Sequence, residues 1–100
     1  MLDPNAPILD IPEKIRESII QVFLEEAQEL IDQINSGYSE PNLVVLKSAA
    51  HKLKGSSSTI GAKELSLLAR QIEAIEFPSE ELILDINSMF SKLRDELGRD

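Results

Sequence analysis

The chain has 100 residues, 42% of them hydrophobic, enough for one compact core and too few for two, which excludes a two-domain enzyme. Its 18 acidic against 10 basic residues give a net charge of −8, the wrong sign for a protein that neutralises nucleic-acid phosphates. With no cysteine, disulfides, thiolate metal sites and a cysteine nucleophile are excluded.

The apolar runs fall far short of the roughly 20 residues a membrane helix needs, and the first ten residues lack a basic region followed by an apolar one. The expectation is a cytoplasmic protein that engages neither membrane nor nucleic acid. Aromatics are few, and Leu, Ala, Glu, Lys and Gln separate the β-branched residues, so the composition favours helix. Pro and Gly cluster at Pro4 to Pro12, Gly37 to Pro41, Gly55 to Gly61 and Phe77 to Ser79, and the segments between are free of breakers.

Residues 1–9 read as a short N-terminal arm, either packed over one end of the molecule or loose, and residues 10–100 as the folded domain. Asp10 as N-cap, with Glu13 three residues on and Pro12 in the first turn, opens a first helix that runs to about Asn35. Ile15, Ile19, Val22, Phe23, Ala27, Leu30 and Ile34 form its apolar stripe, and Gly37 stands where a left-handed C-cap is wanted. The second helix starts after Ser39, with Glu40 and Pro41 in its first turn, turns Leu43, Leu46, Ala49 and Leu53 inward, and ends near Thr59. A third, from Ala62 to about Glu76, carries Leu65, Leu68, Ala69, Ile72 and Ile75. Ser79 caps the fourth, where Glu80 and Glu81 suit the positive helix end and Leu82, Ile86, Met89, Leu93 and Leu97 face the core. Four amphipathic helices on short links predict an all-α, antiparallel up-down-up-down four-helix bundle. No apolar stripe is left over, which predicts a monomer.

Charge is unevenly spread. From Pro41 to Lys63 there is no acidic residue, yet Lys47, Lys52, Lys54 and Lys63 lie there, a local positive field suited to a phosphoryl group or a carboxylate-rich pocket. The only histidine, His51, is in its middle. At about 100° per residue, Lys47, Lys54, Gly55 and Ser58 fall within roughly 60° of His51, while Leu46, Ala49 and Leu53 lie nearly opposite. His51 is therefore expected to face solvent. Gly55 costs about 1 kcal/mol relative to Ala inside a helix, and beside an exposed imidazole its use is clearance for an approaching group. Val44, two turns earlier on this face, offers an apolar contact.

Each feature has an ordinary reading too: surface histidines and lysines are common, Gly55 loosens a helix near its end, and serines cap or bond back to helix carbonyls. Their joint spacing is what points to chemistry. A hydrolase lacks support, because Ser56 is on the opposite side of the helix and no acid lies within ten residues of His51 along the chain. Carboxylates spread over solvated helix faces give no reason to expect a metal site.

The segment Ala50-His51-Lys52-Leu53-Lys54-Gly55-Ser56-Ser57-Ser58-Thr59-Ile60-Gly61-Ala62 resembles the signature of histidine-containing phosphotransfer (HPt) domains: His, any residue, Leu, Lys or Arg, Gly, small residues, and Gly-Ala opening the next helix. The likeness continues through Leu65, Leu68 and Ile72-Glu73. It implies a four-helix bundle with His51 phosphorylated on its outward ring nitrogen. It implies further that Lys54 stabilises the phosphoryl group, with Lys52 and Ser58 as auxiliaries, and that Gly55 gives the partner room. Lys47 and Val44 join the docking face from helical geometry alone.

The implied role is a non-enzymatic phosphorelay intermediate that takes phosphate from a receiver-domain aspartate and passes it to another receiver. Its partners are response-regulator receiver domains, hybrid sensor histidine kinases, or both. No cofactor of its own is expected, Mg²⁺ being brought by the receiver. The alternatives are the phosphoacceptor module of a chemotaxis-type kinase and a helical module that docks receivers without carrying phosphate.

Overall fold

A computed structural model describes residues 2–98; residues 1, 99 and 100, the outermost parts of the expected arm and bundle, lie outside the described residues. A 3-10 turn, Pro7–Asp10, leads into four helices: α1 (Glu13–Ser39), α2 (Leu43–Ile60), α3 (Lys63–Ala74) and α4 (Glu80–Leu97). There is no strand among the described residues. The helices pack in chain order, with α1 also closing against α4, as an antiparallel bundle. Ile34, Leu46, Leu53, Leu65, Ile72, Ile86 and Leu93, drawn from all four helices, are fully buried, and each such side chain contributes about 1.5–3 kcal/mol.

Several helix ends differ from the sequence expectation. Asp10 does not cap α1; it belongs to the 3-10 turn, and Pro12 stands at the N-cap with no side-chain cap bond. The cause is Pro12 itself, whose ring disfavours helical geometry in the residue before it; Ile11 is extended, with φ −85° and ψ 142°. Helix α2 starts at Leu43 rather than Glu40, because the Asn42 side chain accepts from the Val45 amide at 3.2 Å and supplies a true N-cap. Helix α3 stops at Ala74, short of the expected Glu76. Ser79 caps α4 as expected, accepting from the Leu82 amide at 3.2 Å.

Gly37 is not a left-handed cap, for α1 runs on through it to Ser39, and among the described residues only Gly61 has a positive φ. Its smallness serves close packing instead. A Cβ on Gly37 would lie 2.9 Å from the Leu46 Cβ, 3.1 Å from the Leu46 nitrogen and 3.2 Å from the Asn42 carbonyl oxygen. Two of those are backbone atoms that have little room to yield. Gly37→Ala is therefore expected to lower stability by about 1–3 kcal/mol through overpacking, against a propensity gain of about 1 kcal/mol. Urea unfolding should show a lower midpoint at unchanged slope.

The arm is packed, not loose. The Asp3 amide donates to the Gly61 carbonyl at 2.7 Å, the Asp3 carboxylate pairs with Lys63 at 3.1 Å, and Ala6 and Ile8 are buried. Gly61 ends α2 with φ +86°, and a side chain there would run into Ala6, so this position needs glycine for both backbone and space. The expectation that no apolar stripe remains fails on α1. Ile15 and Ile19 are exposed and Val22 is 62% exposed, because neither α2 nor α4 covers the first turns of this long helix.

Candidate functional site

His51 lies midway along α2, its imidazole 66% exposed, as the helical spacing predicts. Its Nδ1 is 2.5 Å from the Oε2 of Glu73 in the last turn of α3. The other carboxylate oxygen accepts from the Lys54 ammonium at 2.6 Å. An ionised carboxylate only accepts hydrogen bonds, so Nδ1 carries the proton and Nε2 is left with the lone pair in the neutral ring.

Glu73, 28% exposed, has both oxygens engaged, one by His51 and the other by Lys54. Its carboxyl is held below the usual range, first by the hydrogen bond from Lys54 and then by that from His51. A lowered folded value means that the clamp stabilises the fold above the pH where a free glutamate titrates, about 4.3, and is lost as pH falls through the folded value. In a carboxyl ¹³C titration, Glu73 is expected to titrate below the same residue in an unfolded peptide. Lys54→Met should move that midpoint upward.

The side chains singled out from sequence do not all meet in one place. Lys54 and Ser58 face α3, lining a groove of about 480 Å³ with Gly55, Ser66, Leu67 and Arg70. Lys52 faces α1, on a larger groove of about 760 Å³ whose apolar walls include Ile8, Ile11, Ile19 and Val22 and which reaches His51. Gly55 lines both grooves, and nothing lies within 4 Å of where its Cβ would be. Lys47 does not present its ammonium to solvent beside His51; it donates to the Ile72 and Glu73 carbonyls at 2.8 and 3.0 Å. Val44 is 80% exposed and lines neither groove.

Sequence reasoning missed three parts of the site. Glu73 escaped as a partner of His51 because it is 22 residues away along the chain. A basic stripe at Lys47, His51 and Lys54 is the signal that an acid from another helix should face it. Arg70 lies one helical turn before Glu73 on α3. The arm, with Ile8 and Ile11, joins α1 as a wall of the larger groove. No helix among the described residues is long and apolar enough to cross a membrane, and no three His, Asp or Glu side chains among them cluster as metal ligands would.

The phosphorelay intermediate protein YPD1 of Candida albicans is 31% identical over 61 residues, covering 61% of this chain and 33% of that protein. The chain thus spans about a third of the length of the curated relative it matches. No solved structure matches it. The family model of the Hpt domain matches residues 18–99, nearly all of the bundle from the second turn of α1 onward. The chain belongs to the Hpt domain family.

Proposed function

We propose that the protein is a phosphorelay intermediate, in which His51 accepts a phosphoryl group from the aspartate of one receiver domain and passes it to that of another. The observation that carries this reading is the exposed His51 imidazole held through Nδ1 by Glu73, beside the open backbone of Gly55. The similarity to a phosphorelay intermediate supports it.

The Nε2 lone pair attacks the phosphorus of the aspartyl phosphate in line. The N–P bond forms as the P–O bond to aspartate breaks, and the aspartate leaves as a carboxylate. Nδ1 keeps its proton, so the phosphorylated ring carries a positive charge, which the Glu73 carboxylate stabilises just as a buried acid stabilises an imidazolium in a catalytic triad. No general base is required. Onward transfer is the reverse sequence with a second receiver.

Lys54 has three ammonium donors and spends one on Glu73, so the others serve the equatorial phosphoryl oxygens. Lys52 adds charge from the α1 side and Ser58 a hydroxyl from the α3 side. Mg²⁺ comes with the receiver. The chain is a carrier, not an enzyme in its own right. It works in the cytoplasm, and the apolar groove lined by Ile19 and Val22 seats each receiver transiently.

Incubation with a phosphorylated receiver and Mg²⁺, followed by intact-mass analysis, tests the proposal. Gain of one acid-labile phosphoryl group is expected. Acceptance only from an ATP-loaded kinase domain would make this the phosphoacceptor module of a chemotaxis-type kinase, and no acceptance from either donor would leave a docking module.

A further inference from the structure

We propose that Lys47 is a positioning residue for His51, acting through the end of α3. The inference rests on His51 being the phosphoryl acceptor and adds a group that fixes which of its ring nitrogens is the nucleophile.

Lys47, His51 and Lys54 are on successive turns of α2, and all three converge on one residue. His51 and Lys54 take the two carboxylate oxygens of Glu73, and Lys47 takes its main-chain carbonyl together with that of Ile72. Those two carbonyls lie in the final turn of α3, where helical partners run out. The chain leaves α3 in an extended conformation at Ile75, with φ −84° and ψ 149°, and the Ile75 amide bonds back only to Gln71. No glycine cap satisfies the last carbonyls, so Lys47 does. Its charge also sits at the negative end of the helix dipole.

The consequence reaches the imidazole. Glu73 holds the proton on Nδ1 only while the last turn of α3 keeps its carboxylate in place. Without Lys47 that turn loses the donor that closes it, and Glu73 moves with it. The ring then relaxes toward the Nε2–H tautomer that free imidazole side chains prefer, in which the outward nitrogen carries a proton instead of a lone pair.

Ring ¹⁵N spectra of the full chain read the tautomer directly. The original sequence is expected to be mainly Nδ1–H. Lys47→Met should shift the population toward Nε2–H and slow phosphorylation of His51 by phosphoramidate, a small donor that needs no docking surface, by about tenfold, within what misplacement of a reacting group costs. Lys47→Arg, which keeps a cation able to reach both carbonyls, should restore the original spectrum. In a Glu73→Ala background, Lys47→Met should change the tautomer no further.

An unchanged tautomer in folded Lys47→Met overturns the proposal, as does an equal shift in the Glu73→Ala background or failure of Lys47→Arg to rescue. Should Lys47→Met lose the fold, Lys47→Gln, which keeps one amide donor, is expected to give an intermediate tautomer ratio, and an unaltered ratio there counts against the role. The tautomer is read without phosphate, so a chain that never accepts a phosphoryl group refutes the relay reading and leaves this test intact.

Discussion

Replacing His51 with glutamine is expected to abolish phosphoryl acceptance while leaving the bundle folded. His51 is the only histidine in the chain, so no second imidazole can take over. Its ring is mostly solvent-exposed and packs no core, and a glutamine amide can still donate to Glu73, so the stability change should stay within about 0.5 kcal/mol, as for substitutions away from the core. Intact-mass analysis after exposure to a phosphorylated receiver, set beside thermal unfolding curves, checks both halves. A phosphoryl group still gained by His51→Gln would move the acceptor elsewhere.

Gly55→Leu is expected to separate docking from chemistry. The space around the missing Cβ is open, so a side chain can leave the helix there toward the grooves, and the helix gains about 1 kcal/mol of propensity from losing its glycine. The new side chain stands where the two grooves meet beside His51. A receiver held back by even about 1 Å loses on the order of 100-fold in transfer rate. Phosphorylation by phosphoramidate, which needs Nε2 and the Lys54 ammonium but no docking surface, should proceed as before. Equal transfer from a receiver in the variant and the original sequence would show that Gly55 provides no clearance.

The bundle was legible because its punctuation and periodicity are local. Pro and Gly clusters mark the arm and the three links, Ser79 reads as a cap because it is one, and the apolar set of α3 contains its buried residues, whereas that of α2 omits Ala50, Ser57 and Ile60 and includes the exposed Leu43. What escaped needs a second helix to define it. Ile15, Ile19 and Val22 repeat at the same spacing as Phe23, Ala27 and Leu30, and periodicity gives the face without saying how far along it a neighbour extends. Gly37 has the composition of a stop signal, yet its use is set by Leu46 on the facing helix.

At the site, the helical wheel placed His51, Lys54 and Gly55 correctly relative to one another because all are on α2. It put Lys47 on the same side and could not show that the end of α3 lies there to take its ammonium. Glu73 became a partner of His51 only when α3 folded back.

Gly55 borders both grooves, the apolar one toward α1 and the basic one toward α3, so a domain seated over His51 covers both at once. Donor and acceptor then exclude each other. For the relay proposed above, exchange is therefore expected to follow double-displacement kinetics, with the first partner departing before the second arrives, and an excess of unphosphorylated receiver to act as a competitive inhibitor of loading.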